Sequence, residues 1–205
     1  PSLGSILLAK TVPALGGDTL FADMVAAYQG LSDELKTKIN GLMAINSGSA
    51  NGSKEKARQR LEQEGSSAEE LDAFDQKYAH IPIPVHPVVR SHPDTGEPAI
   101  YVNRAFTRQI ADMEKQESDK LLELLWAQAA VPEYQCRFKW APGSVAFWDN
   151  RAAQHYASSD YWPERREMDR VTISGERPYY TRDNGEKLTS YAADQALLTE
   201  LGMPT

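Results

Sequence analysis

Apolar positions along this chain recur with two periods, and the switches between them mark its elements. Gly4 to Lys10 (GSILLAK) is a short apolar run suited to a buried strand, and Gly16-Gly17-Asp18-Thr19 makes a turn after it. The spacing from Leu20 to Leu31 then predicts a helix, giving the order strand, turn, helix. Ser32 precedes two acids while Leu35, Ile39 and Leu42 share a helical face, so a second helix begins under a serine cap and packs on the first.

From residue 46 to 78 the pattern dissolves into Ser, Gly, Gln, Glu and Lys, with Gly48, Gly52 and Gly65 as breaks and Ala68 to Tyr78 as an amphipathic helix. Such a polar excursion is expected to be a solvated insertion or a lid-like segment. His86 to Arg90 and Ala99 to Val102 read as strands around the turn Pro93-Asp94-Thr95-Gly96, which makes a hairpin. Leucines at 121, 122, 124 and 125 with Trp126 give an amphipathic helix over 115–130 that stops before Pro132. Tyr134 to Trp140, Ser144 to Trp148 and Arg170 to Ser174 return as strands, with Pro142-Gly143 turning the chain between the first two. Strands at both ends with helices between them predict a mainly β, α+β chain without internal repeats.

Composition narrows the partners. A length of 205 residues suits one domain, and 41% hydrophobic with 25% charged residues is ordinary for a globular chain. The net charge of −7 argues against nucleic acid, because phosphate binding needs a concentrated basic face. No apolar run approaches the ~18 residues that span a bilayer, so no membrane partner is expected. No signal peptide is visible, although the start at Pro1 leaves room for one to have been lost. The single cysteine, Cys136, excludes an intramolecular disulfide, fits a cytoplasmic setting, and is expected to be a partly buried thiol on a strand.

The stretch from Phe147 to Arg170 carries the candidate chemistry. His155 follows the apolar run Val145-Ala146-Phe147-Trp148, and Arg166 and Arg170 follow it by eleven and fifteen residues. A neutral imidazole is the commonest metal ligand and a guanidinium is the preferred clamp for a carboxylate, so a metal and an organic acid point to an oxidative enzyme. The four-residue spacing of the two arginines permits a shared face. Arg151 and Arg165 read as surface ion pairs. His80, His86 and His92 sit in proline-rich, strand-edge sequence, and His86 with His92 is discounted as a metal pair because Pro87 and Pro93 fit turn and strand punctuation.

Three segments in order, Gly16-Gly17-Asp18-Thr19, HPVVRSHPDTGEPAIYVNRAFTRQI at 86–110 and WAPGSVAFWDNRAAQHYASSDYWPERREMDRVTISGERPYY at 140–180, resemble the taurine dioxygenase (TauD/TfdA) family of iron- and 2-oxoglutarate-dependent oxygenases. The resemblance covers nearly the whole chain and is weakest from Asn51 to Tyr78. It implies a double-stranded β-helix, the cupin-like jelly roll, with helices outside it. It further implies Fe(II), 2-oxoglutarate and dioxygen as cofactor and co-substrates, a small anionic organic substrate, and a homo-oligomer as a reasonable assembly. His155 matches the distal ligand of the family's two-histidine, one-carboxylate iron triad. Arg166 matches the arginine that pairs with the far carboxylate of 2-oxoglutarate, and Thr19 the hydroxyl that assists it. Arg170 matches a position that commonly meets an anionic group of the substrate, and Phe106 an aromatic wall of the substrate pocket. Trp148, Asp149 and Asn150 fit as scaffold.

The resemblance places the family's His-x-Asp pair shortly before the segment matching Gly4 to Lys10, hence upstream of Pro1. Residues 1–205 are therefore expected to be one oxygenase domain, N-terminally incomplete, with two of three iron ligands outside it. The competing expectation is a non-catalytic jelly-roll module that binds a small organic acid through Thr19, Arg166 and Arg170 without iron.

Overall fold

The computed structural model describes residues 1–47, 53–79 and 83–200; His80 and the breaks expected at Gly48 and Gly52 lie outside them. The chain opens with β1 (Ser2–Thr11) and β2 (Thr19–Asp23), followed by α1 (Met24–Gln29), α2 (Asp33–Ile39) and β3 (Met43–Asn46). The polar stretch holds α3 (Ser53–Gln63) and α4 (Ala68–Ala79). Next come β4 (Pro84–Pro87), β5 (Val89–Ser91), β6 (Pro98–Ile100), β7 (Thr107–Ile110) and α5 (Lys115–Gln128). They lead into β8 (Gln135–Phe138), β9 (Val145–Asp149), β10 (Ala153–Ala157) and β11 (Glu167–Ser174). The last elements are β12 (Tyr179–Thr181), β13 (Lys187–Thr189), β14 (Tyr191–Ala192) and α6 (Gln195–Glu200).

Two three-stranded antiparallel sheets, ordered β11-β1-β9 and β10-β2-β8, are the frame. They face each other: the Trp148 ring of β9 lies 5.2 Å from Phe21 of β2 and 4.9 Å from His155 of β10, centroid to centroid. The chain crosses between them from β1 to β2, from β8 to β9, from β9 to β10 and from β10 to β11, which is the expected jelly-roll winding. Gly143, at φ 84°, therefore turns the chain from one sheet to the other rather than closing a hairpin.

Two sequence expectations change here. Leu20 to Asp23 is strand, not the start of a helix, because β2 is paired on both edges, by β8 and by β10. The helix waits until Met24, where the Asp23 carboxylate accepts from the N–H groups of Val25 and Ala26. In β1 the apolar run is covered on one face only: Ser5 is fully buried, whereas Leu8 and its outward neighbours Val145, Phe147 and Val171 are exposed. Helix α3 escapes an apolar-period reading because it is held by charge, with Arg58 bridging to Glu62 and to Asp75 of α4 and Arg60 to Glu64.

The densest apolar packing sits beside the two sheets. Met24 and Ala27 of α1, Ile39 of α2, Ile100 of β6 and Leu121, Leu122 and Leu125 of α5 share one buried cluster. The four-stranded sheet β14-β4-β3-β7 and the β5-β6 hairpin border it. Ser118, fully buried on α5, ties the helix to β7 by accepting from the Ile110 N–H at 2.8 Å. Ser118→Ala leaves that buried donor without a partner and is expected to cost about 1–3 kcal/mol in urea unfolding. A change under about 0.5 kcal/mol contradicts this coupling.

Candidate functional site

The register of β2 places the candidate residues. Phe21 stands opposite His155 on one side and Cys136 on the other, and Thr19 stands opposite Ala157 and Phe138. Thr19 and Phe21 are two residues apart and share a face. The structure thus forms two neighbouring clusters along one strand.

The first cluster is Thr19, Trp140 and Arg166. Thr19 is 1% exposed, and its hydroxyl accepts from the Trp140 indole N–H at 3.0 Å, which leaves its own proton to be donated. Arg166 lies just before β11, with its guanidinium carbon 5.9 Å from the Trp140 ring and 6.0 Å from the Tyr161 ring. Its Nε donates to the Gly17 carbonyl at 3.0 Å, and its buried Nη2 has no hydrogen-bond partner. The glycine pair makes this approach feasible. Gly16 and Gly17 have φ of 77° and 71°, and a Cβ on Gly17 would stand 3.1 Å from Arg166 Cδ. Asp160 fixes the loop by accepting from the Gly17 N–H at 2.8 Å.

The second cluster is His155, Phe21, Trp148 and Arg170. The His155 pKa is lowered from its ordinary value, first by loss of solvent around the ring and second by the positive charge of Arg170. The imidazole is therefore held neutral, the form that ligates a metal. The residue is nonetheless exposed, and His155 lines a small hollow with Leu20, Phe21, Gln154 and Tyr156. Arg170 lies opposite Leu7, donates to Ser5 Oγ at 3.0 Å, and sits 5.8 Å from the Trp148 ring. Phe106 stands apart on the turn before β7: it is 42% exposed, and its backbone is bonded to Asn103 and Ser47 rather than to the His155 strand.

Charge pairing separates the arginines. Arg165 pairs with Glu167 at 2.6 Å on the surface, as expected. Arg151 is not a surface pair: its side chain is 9% exposed and bonded to Asp149 and Asp94. Its neighbours in sequence lie in the tight turn between β9 and β10, which draws the guanidinium back over Asp149. Arg166 and Arg170 have no carboxylate partner among the described residues. Two cations left unneutralised in neighbouring clusters can take anionic groups.

The chain contains one His-x-Asp triplet, His92-Pro93-Asp94. Its geometry is that of turn punctuation. His92 Nδ1 accepts from the N–H groups of Asp94 and Thr95, so Nε2 carries the proton and donates to Asp149 at 3.1 Å. The Asp94 carboxylate turns outward to Arg151. No group of three metal-ligating side chains occurs among the described residues. A facial triad needs three ligands and His155 stands here without a second or third, so iron does not fit on these residues alone. A carboxylate does fit the first cluster, where an unpartnered guanidinium nitrogen and a spare hydroxyl proton share Trp140 as neighbour.

A cleft of about 670 Å³ also touches Phe21, but Asp23, Glu97, Glu133 and Asp149 line it and repel an anion. Cys136 opens into it and is exposed rather than partly buried, because β8 is the edge strand of its sheet. Trp140, Asp160, Tyr161 and Ser5 were not singled out by the sequence reading. Trp140, Asp160 and Ser5 left no signal in period or spacing, because each meets its partner more than a hundred residues away in sequence.

Asp149 holds the turn that launches the His155 strand. Partial burial opposes its charge, but hydrogen bonds from Arg151 and then His92 outweigh this and bring its pKa down to about 2 from 3.8. Asp149→Asn is expected to lower stability by about 2 kcal/mol at pH 7, chiefly by removing the carboxylate that takes most of the Arg151 hydrogen bonds and leaving Asp94 to hold it. A depressed folded-state pKa contributes stability that is present above the unfolded value and lost as pH falls through the folded one. The gap between wild type and variant in urea unfolding should therefore shrink as pH falls from 3.8 toward 2. A gap that stays constant across that window contradicts the assignment.

Comparison with known proteins places this geometry. Residues 1–172 match the family model described as taurine catabolism dioxygenase TauD, TfdA family. An alpha-ketoglutarate-dependent sulfonate dioxygenase of Saccharomyces cerevisiae is 39% identical over 168 residues, 81% of this chain and 37% of that protein. An alpha-ketoglutarate-dependent sulfate ester dioxygenase of Pseudomonas putida is 35% identical over 175 residues, 85% of this chain and 56% of that protein. The crystal structure of a taurine dioxygenase from Burkholderia xenovorans superposes with a TM-score of 0.72 at 33% identity, covering 97% of this chain and 60% of that one. The chain spans about half the length of the curated relatives it matches. With the jelly-roll frame, the ordered motifs and the match over 172 residues in agreement, the chain belongs to the TauD, TfdA family of taurine catabolism dioxygenases.

Proposed function

We propose that this chain anchors co-substrate and substrate in an Fe(II)- and 2-oxoglutarate-dependent dioxygenase that hydroxylates a small anionic organic molecule, with release of succinate and CO2. The observation that carries this reading is Arg166 Nη2, buried without a partner beside Gly17, Trp140 and Tyr161. A buried cationic donor left unmade is costly unless a ligand completes it, and the far carboxylate of 2-oxoglutarate is such a ligand. In this reading Thr19 donates its spare proton to the same carboxylate. His155 is the metal ligand this chain contributes, and the remaining ligands come from outside its described residues.

Arg170 takes the anionic group of the substrate. Sulfonates and sulfate esters, named for the relatives, are the first candidates, with aryloxy or other carboxylic acids next. A guanidinium accepts all of these, so the remainder of the pocket makes the choice. Residues 1–205 are taken as one oxygenase domain with 46–78 as its insertion, assembling as a homo-oligomer. Its exposed thiol, Cys136, suits the reducing cytoplasm. No helix among the described residues is long and apolar enough to cross a membrane.

The natural protein is assayed with ferrous iron, 2-oxoglutarate and dioxygen against alkyl sulfonates, alkyl sulfate esters and aryloxy acids. Succinate formed only when a substrate is present is the expected result; none with any of them favours the non-catalytic acid-binding module, which the single iron ligand on this chain motivates. Arg166→Ala should weaken 2-oxoglutarate binding roughly tenfold to hundredfold, and Arg170→Ala should weaken the anionic substrate more than 2-oxoglutarate. Equal effects of both substitutions on one ligand would overturn this division of roles.

A further inference from the structure

We infer that Ser5 is a positioning residue that holds Arg170 ready for the anionic group of the substrate; the inference rests on the substrate role proposed for Arg170. Ser5 lies on β1 with Trp148 opposite it on β9 and Thr172 on β11. It is fully buried. Its Oγ accepts twice, from Arg170 Nη2 at 3.0 Å and from Asn150 Nδ2 at 3.0 Å. Asn150 Oδ1 in turn accepts from the Trp148 indole N–H at 2.8 Å, and Arg170 lies over the Trp148 ring. Four residues from β1, β9, β11 and the turn before β10 thus close one ring of contacts, and Trp148 also packs on His155.

The chemistry of the partner is what matters. Arg165 and Arg151 are held by carboxylates, which position a guanidinium but also neutralise it. A serine hydroxyl positions it without cancelling its charge. Arg170 uses one N–H on Ser5, and the rest of its five donors remain for a ligand. An arginine on an exposed strand position would otherwise lose rotamer freedom on binding; a buried acceptor and an aromatic face bear that cost beforehand. The link through Asn150 fixes the distance of this anion anchor from His155, because both ends rest on Trp148.

The test is a double-mutant cycle read by titration calorimetry, with hexyl sulfate as the anionic probe and 2-oxoglutarate as control. Ser5→Ala should weaken hexyl sulfate by about tenfold while 2-oxoglutarate stays within about twofold, and it should cause no further loss in an Arg170→Ala background. Ser5→Thr, which keeps the hydroxyl, should restore most of the affinity. Unchanged hexyl sulfate affinity in Ser5→Ala, beside a loss in Arg170→Ala, overturns the role of Ser5. An equal loss in both backgrounds also overturns it, since that marks general damage to packing. No loss in Arg170→Ala instead sinks the substrate role of Arg170. Should Ser5→Ala not fold, Ser5→Cys, a weak acceptor of similar volume, is read in the same way.

Discussion

The contact of Trp148 with the facing sheet is the constraint on which the rest depends. Its ring meets Phe21 and His155 across the gap between the sheets, and its indole N–H is fixed by Asn150. Large aromatic rings dominate burial, and tilted contacts add specific geometry to it. Here one side chain sets the spacing of the sheets, the orientation of the imidazole and the floor beneath Arg170. Phe21, His155 and Arg170, fifteen or more residues apart in sequence, come together because they share this one neighbour.

Electrostatics then divides the basic residues by what holds them. Arg58, Arg104, Arg151 and Arg165 lie against carboxylates and are structural. Arg166 is held by a backbone carbonyl and Arg170 by a hydroxyl, so both keep their charge for something else. The same logic removes His92-Pro93-Asp94 from the metal chemistry. Both His92 nitrogens are engaged within the turn and with Asp149, and Asp94 is spent on Arg151. A motif acquires chemistry only where its donors remain uncommitted.

The sequence made the frame legible where apolar period and turn chemistry agreed, as in β1, the β5-β6 hairpin, α5, β8, β9 and the second half of β11, but not in β10. It misread Leu20 to Asp23 because the run Leu20-Phe21-Ala22 shows no alternation, and the pairing with β8 and β10 that makes it strand is not written in local period. It missed α3 because that helix is held by ion pairs instead of an apolar stripe. Of the candidate site, His155, Thr19, Arg166 and Arg170 were singled out through ordered motifs. Trp140, Asp160 and Ser5 were not, since their parts depend on contacts between segments more than a hundred residues apart. Period and spacing along one chain carry no record of such pairings.

A crystal structure of the natural protein with 2-oxoglutarate, prepared without oxygen, tests the central claim most directly. The account predicts one carboxylate of the ligand within hydrogen-bond distance of Arg166 Nη2 and the Thr19 hydroxyl, with Arg170 left free of it. A ligand bound to Arg170 instead, or with neither carboxylate touching Arg166, would contradict it.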